Sequence, residues 1–178
     1  ESARRSRPNE TVVAVVRAGC ENIIENNPNV DEIIVWDKRG RDSGYAGVVS
    51  LAGRLRAHSI RTALIPHRSF RTAFTSLIAG IPERVGFDKG GGAFLHTKRV
   101  PYQYGIHEVE RNLMLAERAG WETRGFKPAI FPDDRDRETI DALLADTGMF
   151  CVFAPGSVWP TKMWPGEYYS ETGRFYSD

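Results

Sequence analysis

The residue types best suited to chemistry lie near the end of the chain, in Pro155-Gly156-Ser157-Val158-Trp159-Pro160-Thr161-Lys162-Met163-Trp164-Pro165. Gly156 lets the backbone approach a ligand with no Cβ in the way. Ser157 and Thr161 offer hydroxyls, and Lys162 offers a mobile ammonium suited to a diphosphate. An apolar run over residues 149–154, bracketed by Gly148 and Pro155-Gly156, precedes the loop and predicts a strand buried on both faces. Pro165 stands where the first turn of a helix begins, with Glu167, Tyr168 and Tyr169 behind it. Strand, glycine-bearing loop and helix N-terminus are the usual anion site of open α/β sheets. The same residues also suit a structural corner, in which the two tryptophans pack over a sheet edge and Lys162 is solvated. Neither GxxxxGK[ST] nor GxGxxG occurs, because Gly90-Gly91-Gly92 follows Asp88-Lys89 rather than a strand. The P-loop and the dinucleotide fingerprint are therefore both excluded.

The elements that must position such a loop alternate between two periodicities. Residues 11–16 are a continuous, largely β-branched run, and residues 21–26 have helical composition up to the Asn27-Pro28 stop. Residues 32–36 predict a second strand and 45–57 a helix with Val48, Leu51 and Leu55 on one side. Residues 62–65 predict a third strand, followed by a helix opening at 67–70 and ending at Gly80 and Pro82. Residues 85–87 form a short strand, and 88–104 are irregular, as expected of a substrate-side loop. From His107 to Gly120 the spacing of Val109, Leu113 and Ala116 predicts a helix, 121–132 a connector, and Asp133 or Asp134 the cap of a charged helix to Ala145. Strands alternating with helices argue for an α/β protein with a parallel, doubly wound sheet. A polar leader over 1–10 is expected to be flexible, residues 11–147 to form one Rossmann-like domain, and 148–178 to open a second.

Composition narrows the function classes. With 24 basic and 23 acidic residues the net charge is +1, so there is no global field for nucleic acid or a membrane and any basic site must be local. The two cysteines, Cys20 in a predicted helix and Cys151 in a predicted core strand, have no ligand spacing. They suit a reducing compartment without disulfides. No apolar stretch is long enough to span a bilayer, and the polar, basic start lacks a signal-type apolar region. The expectation is a cytoplasmic protein.

The APGSVWPTKMWP segment, together with the helix after it, resembles the start of the second domain in glycosyltransferase family 9, the bacterial lipopolysaccharide heptosyltransferases, closest to the heptosyltransferase II branch. Three upstream segments agree in order: Asn27-Pro28-Asn29-Val30-Asp31-Glu32-Ile33-Ile34 continuing to Asp37-Lys38-Arg39, Ala79-Gly80-Ile81-Pro82-Glu83-Arg84-Val85-Gly86-Phe87, and His107-Glu108-Val109-Glu110-Arg111-Asn112-Leu113. The resemblance implies a GT-B fold, with two Rossmann-like domains facing a cleft, acceptor on the first and ADP-heptose donor mainly on the second. It implies transfer without metal or cofactor. Lys162 would hold the donor diphosphate against the charge that develops on leaving ADP, with Ser157 and Thr161 adding phosphate or ribose contacts. Met163 replaces the basic residue often found between that lysine and the tryptophan.

The implied acceptor is a phosphorylated, carboxylate-rich inner-core sugar at the inner membrane surface. Its candidate partners are Lys38, Arg39 and Arg41 after the second strand, Arg68 and Arg71 after the third, and His107, four residues before Arg111 on one helix face. For each, a solvated charge or, for His107, a capping role is the alternative. In the family a further strand with a Gly-Asp loop comes first and carries the presumed general base. Here the run at 11–16 matches the family's second strand, and Asp37 and Asp42 lie in a different loop. The resemblance therefore implies an internal piece of a longer enzyme, inactive by itself, whose missing first strand belongs at the sheet centre. The surviving strands either leave that gap open or close it by pairing differently. Two other activities fit the residues less fully: a nucleotide-sugar epimerase of the same fold, and a non-catalytic module binding anionic glycans.

Overall fold

The computed structural model describes residues 1–157 and 159–176. They fall into two compact units, Glu1–Phe131 and Pro132–Asp178. The first contains α1 (Ser2–Ser6), β1 (Val13–Arg17), β2 (Glu32–Trp36), α2 (Gly44–Ala57), β3 (Thr62–Ile65), α3 (Phe70–Ile78), β4 (Glu83–Phe87), β5 (Lys98–Val100) and α4 (Glu108–Arg118). The second contains α5 (Asp134–Leu144), a single turn of 3-10 helix at Pro160–Lys162, and α6 (Gly166–Phe175).

All strand pairing is parallel, in two separate sheets ordered β1-β2 and β3-β4-β5. The sheets carry cores on opposite faces, as the alternation of side chains in a strand requires. In β3, Ala63 packs toward Ile34, Trp36, Leu51, Leu55 and Ile81, while Leu64 packs toward Val85, Phe87, Val100 and Leu115. The first core is built on α2, whose buried Val48, Leu51, Ala52 and Leu55 recur at helical spacing. The second is built on α4, capped by His107 and contributing Leu115.

Strand β1 is not paired with β3. Residues of both strands line a cavity of about 1110 Å³.

Several local expectations are corrected. Residues 21–26 form only a 3-10 turn, Glu21–Ile23, because a segment this short cannot repay helix nucleation without a packed face. Cys20 precedes that turn instead of lying in a helix. The irregular stretch 88–104 contains β5, whose Lys98-Arg99-Val100 is too short and polar to carry a strand signal. The leader contains α1, tied down where Arg4 pairs with Asp31 at 2.5 Å and Ser6 Oγ accepts the Glu122 N–H at 2.7 Å.

The largest correction concerns residues 149–154, which form no strand and are not buried; Met149 and Val152 are wholly or largely exposed. Cys151 is exposed with them. A strand needs a neighbour for its backbone groups, and the described residues of the second unit contain no other strand. Among the described residues, no helix is long and apolar enough to cross a membrane.

Candidate functional site

The carboxyl ends of parallel strands are where open α/β sheets bind ligands, and here the ends of β2 and β3 gather four basic groups. Trp36, the last residue of β2, is 2 % exposed and serves as the platform for two of them. Lys38 Nζ lies 4.0 Å from the Trp36 ring centroid and the Arg71 guanidinium 5.5 Å from it. Lys38 also reaches Thr72 Oγ1 at 3.4 Å, and Arg71 donates to the carbonyls of Asp42 and Gly44 at 3.1 and 2.7 Å. His67 and Arg68 lie on the turn between β3 and α3, whose N-cap Ser69 accepts the Thr72 N–H. The Arg68 guanidinium stacks 4.1 Å from the Tyr102 ring centroid, and the largely buried Arg111 stacks 4.5 Å from the same ring.

The basic groups raise the local positive potential and act on one another. Burial, and then the charge of Arg71, lower the pKa of Lys38. Burial, then Lys38 and Arg68, lower that of His67 below its ordinary 6.5. Lys38, Arg68 and Arg71 make no ion pair among the described residues. The neighbouring carboxylates organise the 37–42 loop, Asp37 half-exposed and Asp42 buried. Asp37 accepts the Gly40 and Arg41 N–H groups at 2.9 and 3.2 Å, which lowers its pKa. Buried Asp42 accepts the Asp37 N–H at 3.0 Å and faces Arg54 and Arg41 at 3.5 and 3.6 Å.

The candidates named from sequence separate on this geometry. Lys38 and Arg71 come together over Trp36, Arg68 lies over Tyr102 and shares with Lys38 an effect on His67, Arg39 is exposed and Arg41 is held at Asp42. His107 caps α4, its Nδ1 accepting the Val109 N–H at 3.2 Å. Trp36, His67 and Tyr102 are not among the sequence candidates; the signals for the first two are an aromatic closing a strand just before Lys38 and the His67-Arg68 pair after β3.

In the second unit, Ser157 Oγ accepts the Trp159 N–H at 3.3 Å, the exposed Lys162 closes the 3-10 turn, and Thr161 lies in the same turn. Val158 lies outside the described residues. Pro165 is the N-cap of α6, one position before the expected first turn, and Trp164 packs on Tyr168 and Tyr169 with centroids 5.6 and 4.9 Å apart. The loop therefore presents Ser157, Thr161 and Lys162 ahead of a helix, but without the strand expected before it.

The pH dependence of sulfate binding should show whether these groups take an anion. Lowered pKa values mean that the folded site disfavours a charged His67, so without ligand the histidine costs stability as pH falls from 6.5 through its lowered pKa. A bound dianion reverses that sign. Sulfate affinity is expected to rise severalfold as pH falls from about 7 to about 5, and His67→Gln to flatten the rise. A pH-independent affinity in the unsubstituted chain would place His67 outside the site.

Solved structures of similar shape and a family model agree on one relationship. The crystal structure of the glycosyl transferase family 9 protein from Veillonella parvula DSM 2008 matches with a TM-score of 0.81 at 22 % identity, over 98 % of this chain and 53 % of that one. The structure of the E. coli ADP-heptose lps heptosyltransferase II matches with a TM-score of 0.71 at 19 % identity, over 99 % of this chain and 55 % of that one. The chain thus spans about half the length of these solved relatives. No curated protein sequence matches it. The family model for glycosyltransferase family 9 (heptosyltransferase) matches residues 48–178, from the interior of α2 through the Lys162 loop and α6. With nearly three quarters of its length under that model, the chain belongs to glycosyltransferase family 9.

Proposed function

We propose that the full-length protein transfers heptose from ADP-heptose to a phosphorylated inner-core sugar of lipopolysaccharide, and that this chain supplies its acceptor side. The observation that carries the proposal is the set of Lys38 and Arg71 over Trp36 and Arg68 over Tyr102, three cations after the strand ends with no ion pair among the described residues. Such a group suits an acceptor bearing phosphate and carboxylate oxygens, because guanidinium forks and an ammonium bind those oxygens by charge-assisted hydrogen bonds. Arg39 and Arg41 extend the same loop, and His107 keeps one ring nitrogen for a ligand.

Residues 148–178 open the donor domain in this reading. Lys162 holds the diphosphate, Ser157 and Thr161 add hydroxyl contacts, and the ammonium offsets the charge on ADP as the glycosidic bond forms. The acceptor hydroxyl attacks the anomeric carbon, its proton passing to a base, while the anomeric C–O bond to ADP breaks. No residue of this chain is assigned as that base; Asp37 and Asp42 instead accept backbone N–H groups of their own loop. The reaction calls on no metal or cofactor and the site on no nucleic acid. The enzyme works in the cytoplasm, at the inner face of the membrane where its lipid-linked acceptor lies.

The test is steady-state kinetics of the full-length enzyme, measured as ADP released per acceptor. Arg68→Ala is expected to raise the acceptor KM about tenfold or more with donor affinity unchanged, since hydrogen bonds to a charged group contribute about 1.5–3 kcal/mol. An unchanged acceptor KM would remove the strand-end cluster from acceptor binding.

A further inference from the structure

Tyr102 carries two cations of opposite kind. Arg111 on α4 is buried, and each of its three guanidinium nitrogens is bonded. Nε donates to the Gln103 carbonyl at 3.0 Å, one terminal nitrogen donates to the Ile106 carbonyl at 3.0 Å, and the other pairs with Glu108. Arg68, on the turn after β3, is exposed, and its guanidinium makes no hydrogen bond or ion pair among the described residues. What holds that head group is the Tyr102 ring, whose centroid lies 4.1 Å from the guanidinium carbon. Its stem is held separately. Gly90, at φ +112°, lies so close that a Cβ there would be 2.3 Å from the Arg68 carbonyl oxygen and 2.7 Å from the Arg68 Cβ. The glycine after β4 is thus explained, because no other residue fits that conformation against Arg68. The ring itself is anchored in the core. Phe87, 1 % exposed, meets it edge-on with centroids 5.1 Å apart, Tyr104 does so at 5.0 Å, and the Tyr102 N–H donates to Asp88 at 2.9 Å.

An exposed arginine samples many rotamers, and a ligand that binds it must freeze them. A guanidinium lying over an aromatic ring is restrained by the ring quadrupole, while the N–H groups around its rim stay available. The charge of Arg111 is offset by Glu108, whereas Arg68 has no carboxylate partner among the described residues. Two like charges at one ring repel, so an anion at Arg68 relieves the pair. We propose that Tyr102 is a positioning residue of the acceptor site: its ring, fixed by Arg111 and Phe87, holds the Arg68 guanidinium with its donors free for an acceptor phosphate or carboxylate. The proposal rests on the reading of Arg68 as an acceptor contact. Tyr102 acts through its ring. Its hydroxyl makes no hydrogen bond among the described residues, so Tyr102→Phe removes no internal bond.

The experiment is a double-mutant cycle, read by titrating inorganic sulfate into the 178-residue chain at constant pH and ionic strength. Arg68→Ala is expected to weaken sulfate binding about tenfold or more. Tyr102→Leu should weaken it about threefold, and Tyr102→Phe, which keeps the ring, should recover most of that loss. In the Arg68→Ala chain, Tyr102→Leu should have no further effect, because the ring acts through Arg68 alone. A packing defect would instead weaken sulfate equally in both backgrounds. NMR of the unsubstituted chain gives a reading that depends on no variant's folding: the Arg68 δ-methylene protons should be shifted upfield by the ring current of Tyr102. Weakening by Arg68→Ala with none by Tyr102→Leu would overturn the positioning role and leave the acceptor reading in place. An Arg68→Ala chain that binds sulfate normally would overturn both. Equal losses from Tyr102→Phe and Tyr102→Leu, additive losses in the cycle, or unshifted Arg68 protons would also overturn the proposal.

Discussion

Gly47→Ala is expected to destabilise the chain by about 3 kcal/mol, the upper end of the cost of overpacking, although alanine is normally the better helix former. A Cβ at position 47 would lie 1.8 Å from the Asp42 carbonyl oxygen and 2.2 Å from its carbon. Those are backbone atoms, so no rotamer change relieves the clash. The segment that must move is the 37–42 loop, whose Asp37 and Asp42 carboxylates organise its turn and whose Asp42 carbonyl receives Arg71. Sulfate binding at Lys38 and Arg71 should therefore weaken together with stability. Gly53→Ala in the same helix is the control. Nothing lies within 4 Å of its Cβ position, so alanine there should stabilise by up to about 1 kcal/mol from helix propensity alone. Urea unfolding of the two variants should give opposite signs. Equal midpoints would show that the loop yields freely and does not position the site.

In the full-length enzyme, Lys162→Ala is expected to weaken ADP-heptose binding more than tenfold, by calorimetry with ADP-heptose itself. An ammonium hydrogen-bonded to a diphosphate contributes about 1.5–3 kcal/mol, and tenfold corresponds to the lower end of that range. Lys162 is exposed at the end of its 3-10 turn, so its removal leaves no cavity and disturbs no buried partner. A loss of affinity with unchanged thermal stability would therefore report a ligand contact and not a fold defect. Unchanged donor affinity would remove Lys162 from the donor site and return the loop to a structural corner.

Much of the architecture could be read from local pattern because the physics there is local. Residues 32–36 and 62–65 are short, largely β-branched or apolar runs between polar breaks, and β2 and β3 occupy those positions. Leu51 and Leu55 at helical spacing mark the face of α2 that becomes the core, and Asp133 caps α5 with a reciprocal bond to Asp136. Local pattern failed where an element depends on a neighbour. The run at 149–154 has a strand's composition but finds no backbone partner among the described residues. Lys98-Arg99-Val100 has little strand character, yet it is drawn into the sheet beside β4.

The sequence by itself determined the family relationship, the parallel α/β class and the basic residues after the second and third strands, because residue type and order are written along the chain. Tertiary structure alone decided which of those cations converge. Trp36 and Tyr102 are remote from one another in sequence, and only packing brings Lys38 and Arg71 to one ring and Arg68 and Arg111 to the other. It also decided that β1 pairs with β2 and not with β3. Pairing depends on register and approach between segments some fifty residues apart, a long-range geometry that no local periodicity encodes.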